Sequence, residues 1–180
     1  WGLVPRLVAA GYSGPVYASA GTIALCEVLW PDSGRIHEED ARYANRKGFS
    51  KHHPAEPLFS EADALTALRS LEPVELAAPT TVAPGVRIEL ASGGHILGAT
   101  VVRVDTDDAA VLFSGDLGHV GDPLIGTPST ALSAPTLVLE STYGDRLHRT
   151  FEESKTELLE AIRHAVSHNE KVIIPAFALE

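Results

Sequence analysis

Val86–Gly118, VRIELASGGHILGATVVRVDTDDAAVLFSGDLG, contains three short apolar runs, and the loops between them carry glycines and polar side chains. The runs Val86–Leu90, Thr100–Val104 and Ala110–Ser114 are of strand length, and their Val, Ile and Leu content suits a pleated, half-buried surface. Working outward, further strands are predicted near Pro15–Ala18, Thr136–Glu140 and Lys171–Pro175. Amphipathic stretches lie between them, which is the pattern of an α/β protein whose sheet is covered by helices.

The helices are punctuated by recognisable signals. Residues 32–47 follow a cap at Asp32 or Ser33 and stop before Gly48, while residues 60–69 open on Ser60, Glu61 and Asp63, at the positive end of the helix dipole. The longest predicted helix, Thr150–His168, places Phe151, Leu158, Ile162 and Val166 at helical spacing, with Leu159 and Ala165 beside them. That face is expected to be core. Ala77–Pro84 and Gly121–Pro135 read as proline-punctuated connections, and no repeat or low-complexity tract is present.

Composition narrows the function. With 180 residues, 44% of them hydrophobic, the chain can bury the core of one domain or slightly more. Fourteen basic against 24 acidic residues give a net charge of −10, which disfavours a module that simply coats nucleic acid. A nuclease survives this test, because bound cations and local Lys or Arg clusters can reverse the field inside a cleft. No apolar stretch reaches the roughly 18 to 20 residues of a membrane span, and the N-terminus does not read as a secretory signal, so no membrane partner and a cytoplasmic setting are expected. Cys26, the single cysteine, sits in an apolar helical stretch; it can form no internal disulfide and reads as a small core residue.

Three polar residues stand where strands are predicted to end: His95 in GGHILGAT, Asp116 in LFSGDLG and Glu140 in TLVLESTYGDR. Strand ends are where α/β folds collect ligands, because the strand holds the Cα while the loop frees the side chain. Singly, each has a simpler reading. An Asp between glycines makes Asx turns, a His in a glycine loop is a solvated turn residue, and Glu140 is either emerging into solvent or buried against a partner.

Taken jointly, GHILGA, FSGDLG and ESTYGDRxH, in this order and with 21 and 24 residues between His95, Asp116 and Glu140, resemble the β-CASP branch of the metallo-β-lactamase superfamily. Similar stretches are LVPRLVAAGYSGPVYAS, DSGRIHEEDARYANRKG, PLFSEADAL and IIPAFALE, so nearly the whole chain is covered. The resemblance implies that His95 and Asp116 are metal ligands, Asp116 bridging two zinc ions, and that Asp116 and Glu140 carry the catalytic roles, Glu140 by orienting a catalytic histidine. His148, with Arg146 and Arg149 beside it, occupies the place of a histidine that often follows ESTYGDR; His148 and Arg146 are therefore candidates for contact with substrate.

The family's H-x-H-x-D-H motif is expected directly before a segment like Gly2-Leu3-Val4-Pro5-Arg6, and its two later histidines after Glu180. The expected fold is thus an αββα sandwich lacking its first strands over residues 1–144, followed by the start of a β-CASP cap over residues 145–180. The implied activity is zinc-dependent hydrolysis of RNA by a metal-activated hydroxide in the intact protein, with single-stranded RNA as partner, homo-oligomer formation left open, and the fragment alone inactive. The alternatives are an inactive RNA-processing scaffold and a hydrolase of a small thioester or lactam. The remaining histidines have plain readings: His37 lies among Glu38, Glu39 and Asp40 on a solvated acidic face, since Ala41 breaks H-E-x-x-H, and His52 and His53 belong to a basic surface loop.

Overall fold

In the computed structural model, which describes residues 1–121 and 124–176, Ser19 caps a helix, α2, that runs without interruption over Ala20–Lys47. The Ser19 hydroxyl accepts from the Thr22 N–H at 3.2 Å, and Gly48 ends the helix in the left-handed conformation. The predicted start at Asp32 or Ser33 is therefore corrected. Asp32 instead pairs with Arg35 at 2.6 Å one turn on. Pro31, inside α2, removes a backbone donor and ordinarily marks a helix boundary. Tertiary packing overrides it, because Cys26 and Trp30 are buried before it and Gly34, Ala41 and Ala44 after it.

The first unit, Trp1–Leu139, is built around this helix. Ahead of it come α1 (Val4–Ala9), with proline in its first turn, and the strand β1 (Val16–Ala18). After it comes α3 (Glu61–Ala67), with the reciprocal hydrogen bonds of a capping box between Ser60 and Asp63. Cys26, Trp30, Phe59, Ala64 and Ala67 form one buried cluster, and Val4, Val8, Leu68 and Leu71 pack against it. Cys26 is a buried core residue as expected, and burial raises its thiol pKa above the ordinary value.

Two sheets follow from the pairing. A 3-10 turn at Leu68–Ser70 delivers β2 (Leu71–Pro73), which pairs in parallel with β1. The second sheet has the order β3 (Thr80–Ala83), β4 (Val86–Ser92), β5 (Thr100–Asp105), β6 (Ala110–Phe113) and β7 (Thr136–Val138). Its pairs are antiparallel except β6 with β7. The predicted mixed α/β architecture and the strands near Val86, Thr100, Ala110 and Thr136 are present. Thr80–Ala83, read as part of a connection, is a strand because Thr80 and Thr81 find ladder partners at Ile88 and Arg87.

Residues Glu140–Glu180 form a second compact unit. Its helix α4 (Phe151–His168) starts at a Thr150–Glu153 capping box and ends at Asn169, close to the predicted bounds. The expectation that its apolar face is core is corrected: Phe151 is 77% and Val166 76% exposed, and Leu158 and Ile162 are exposed too, while Ala165 is buried. The strand predicted over Lys171–Pro175 is also not formed, since this run has no ladder partner among the described residues. The last four residues of IIPAFALE, and residues 122 and 123 of the Gly121–Pro135 connection, lie outside the described residues.

Candidate active site

The strand pairing sets where the two candidate metal ligands can go. β4 and β6 both run antiparallel to β5. The loops that follow them, Gly93–Ala99 with His95 and Ser114–Gly118 with Asp116, therefore leave the sheet at the same edge. β7 is parallel to β6 and ends there as well, at Val138. Strands two places apart stand roughly 10 Å from each other. The two loops nevertheless close that gap.

Backbone contact joins them. The Gly118 N–H donates to the Gly93 carbonyl at 2.9 Å, and the Gly93 N–H donates to the Ala99 carbonyl at 2.8 Å, closing the histidine loop on itself. The approach requires glycine at position 118, where a Cβ would collide with the Gly94 carbonyl and stand 2.7 Å from the His95 nitrogen. The other side of the loop is pinned to the start of α2. The hydroxyls of Ser19 and Thr22 both donate to the Gly98 carbonyl at 2.8 Å, and Gly98, at φ +82°, is so close that a Cβ would strike the Thr22 nitrogen. Sequence reasoning missed this lock; its only local trace is the Ser-x-x-Thr spacing at the cap.

His95 and Asp116 are both exposed, and neither side chain has a hydrogen-bond or ion-pair partner among the described residues. An imidazole and a carboxylate on adjoining loops have the right chemistry for a divalent cation of the zinc type. Their number falls short. Among the described residues no group of three or more His, Cys, Asp or Glu side chains could hold a metal ion, so these residues by themselves do not make a metal centre. A cavity of about 830 Å³ opens beside the same loop, bordered by Ile96, Leu97, Ser19, Gly21, Val74 and Ile125.

The other candidates lie in the second unit. Glu140, two residues beyond β7, is half-buried and accepts from the Thr142 N–H at 3.4 Å. Tyr143 gathers the remaining two: His148 meets its ring edge-on with centroids 4.4 Å apart, and the Arg146 guanidinium lies over it at 5.4 Å. Tyr143 was not singled out from the sequence, although it stands inside ESTYGDR. Arg146 also pairs with Asp145 at 3.2 Å. The plain readings fare unevenly. His52 and His53 are exposed, but His37 packs edge-on against Phe59 at 4.7 Å, with its Nδ1 buried and without a hydrogen-bond partner among the described residues, so it is not simply a solvated residue.

A family profile described as metallo-beta-lactamase superfamily matches residues 21–176. Ribonuclease TTHA0252 of Thermus thermophilus is 31% identical over 179 residues, which cover 99% of this chain and 37% of the relative. Cleavage and polyadenylation specificity factor subunit 3-II of Arabidopsis thaliana is 28% identical, over 94% of this chain and 26% of the relative. Transcription termination factor FttA of Methanococcus maripaludis is 27% identical, over 99% and 27%. The chain thus spans between about a quarter and just over a third of these relatives.

Proposed function

The chain belongs to the metallo-β-lactamase superfamily, and from that premise we propose that it is part of a metal-dependent RNA hydrolase of the β-CASP kind that its motifs resemble. The observation that carries the proposal is the backbone junction between the GGHILGA and FSGDLG loops. A sheet edge that brings a histidine loop and an aspartate loop together fits a hydrolytic centre better than a scaffold, which has no need of it. The names of the relatives, a ribonuclease and a cleavage and polyadenylation factor subunit among them, supply the substrate class.

In this reading His95 and Asp116 are this segment's donors to a zinc centre. Because two donors do not complete such a centre, the 180-residue chain alone cleaves no RNA. The remaining roles belong to side chains of the chain. Arg146, steadied over Tyr143, and His148 on the same ring present cationic and hydrogen-bonding groups to the phosphates of single-stranded RNA, where the net charge of −10 otherwise repels them. Glu140 acts as a positioning residue. Residues 1–144 are read as the catalytic core and 145–180 as the start of a β-CASP cap domain.

The test uses the full-length protein that carries this segment, incubated with labelled single-stranded RNA. Asp116→Asn and His95→Ala are each expected to lower cleavage by more than about 100-fold and to lower bound zinc, because even outer-shell contacts to a metal are commonly worth 10- to 100-fold. Glu140→Gln should fall within about that 10- to 100-fold range. Near-normal zinc content and rate in Asp116→Asn would remove this residue from the site and the proposal with it.

A further inference from the structure

Far along α2 from its capped end, a pocket of about 430 Å³ is walled by His37, Asp40, Tyr43, Phe49, Glu56 and Leu58. Two of the residues that α2 contributes to it, Ala41 and Ala44, are small, which leaves space between the larger side chains. Its outer wall, the segment after α2, is fixed in place by Asn45, whose side-chain amide donates to the Ala55 carbonyl at 2.9 Å and accepts from the Ala55 N–H at 2.7 Å. Tyr43 and Phe49 lean together at the mouth, with ring centroids 5.9 Å apart, and they are 47% and 66% exposed. Two aromatic rings side by side at the surface, next to acidic side chains, offer flat faces on which a ligand can lie.

The charges around the pocket select the occupant. Asp40 and Glu56 are its acidic residues and His37 its imidazole, no Lys or Arg lines it, and neither carboxylate has a hydrogen-bond or ion-pair partner among the described residues. An anion is repelled here, and a neutral apolar group would cost the carboxylates their hydration without replacing it. A metal ion is disfavoured too, since among the described residues no set of three donors converges. An organic cation satisfies both kinds of wall, because its charge meets the carboxylates while its flat or alkyl surface lies on the rings. The Tyr43 ring already receives a guanidinium on one side, that of Arg46, at 5.5 Å.

We propose that this pocket, built by the Asn45 clamp between α2 and residues 49–58, is a binding site for a guanidinium or alkylammonium group. That chemistry has two sources, the arginine or lysine side chain of another polypeptide and a free polyamine. The site stands apart from the His95 and Asp116 loops, and it does not rest on the proposed hydrolytic function.

The experiment follows the amide resonances of the chain during titration with N-acetyl-arginine methylamide, with spermidine, and with the neutral isostere N-acetyl-citrulline methylamide. Saturable shifts centred on Ala41, Ala44, Phe49 and Leu58 are expected with the first or second probe, the tighter of the two naming the source. The citrulline probe should bind at least about tenfold more weakly, which corresponds to roughly 1.4 kcal/mol. Asp40→Asn combined with Glu56→Gln exchanges exposed charges without touching the core and should weaken binding by at least about tenfold as well, as should Phe49→Leu, while His95→Ala leaves it unchanged. Equal binding of the citrulline probe, unaltered affinity in the Asp40→Asn/Glu56→Gln variant, or no saturable shift with either cation into the millimolar range overturns the proposal.

Discussion

At the scale of the residue, Ser60 and Asp63 show how much one local exchange contributes. The Asp63 carboxylate accepts from the Ser60 N–H at 2.8 Å and from its hydroxyl at 2.7 Å, and these bonds hold its pKa below the ordinary value of 3.8. A carboxyl whose folded pKa is depressed adds stability above its unfolded pKa, and that stability is lost as pH falls through the folded value. Asp63→Asn should therefore be less stable than the parent at neutral pH, and the two should converge once the pH is taken well below 3.8. Urea midpoints at the two pH values measure this, and a gap that persists in acid would mean the bond is not to the ionised form. Ser60→Ala, which removes the other half of the box, should cost about 1 kcal/mol. Both residues were legible in the sequence, because the signal spans one helical turn.

Elements meet through backbone, and here glycine decides what can touch. Gly98 against α2 and Gly118 against the histidine loop leave no room for a methyl group, since the colliding atoms are main-chain atoms that cannot swing aside. Gly118→Ala is expected to destabilise the first unit by about 2 to 3 kcal/mol, or to force the two loops apart. Gly2→Ala, where nothing lies within 4 Å, is the control and should change stability by less than about 0.5 kcal/mol. Thermal unfolding of the pair checks it. Equal melting temperatures would show that the loop junction is not formed in solution. The glycines themselves are plain in the sequence, Gly93, Gly94 and Gly98 around His95 and Gly115 and Gly118 around Asp116. Their partners lie up to 77 residues away, as Gly98 is from Gly21, and that could not be read.

On the scale of the molecule, the two compact units differ in what they bury. Phe59, 2% exposed, and Trp30, 3% exposed, anchor the core of the first, whereas Ile162 on α4 is 40% exposed. Phe59→Ala should cost about 3 to 5 kcal/mol through lost burial and the cavity left behind. Ile162→Ser should stay within about 0.5 kcal/mol, as a surface substitution does. Denaturant titration followed by circular dichroism compares them. A cost for Ile162→Ser approaching that of Phe59→Ala would mean the α4 face is packed after all, as its periodicity first suggested.

Much of this protein is determined within short reach of each residue. The stop of α2 at Gly48, the caps at Ser60 and Thr150, the strands around Val86, Thr100 and Ala110, and the spacing of His95, Asp116 and Glu140 can all be read from sequence. Caps and periodicities act over a turn or a strand, and the residues that cause them are neighbours. Tertiary structure alone decided the rest. It carried α2 through Pro31 by burying Trp30 and Cys26, and it made a strand of Thr80–Ala83 by supplying β4. Among the described residues it also left Lys171–Pro175 without a ladder and Phe151, Leu158, Ile162 and Val166 of α4 exposed. In each case the outcome depends on whether a distant segment arrives to take up a hydrogen bond or cover an apolar face. The contact between the His95 and Asp116 loops is of that kind, because 25 residues separate Gly93 from Gly118 and only the antiparallel path through β5 returns one to the other.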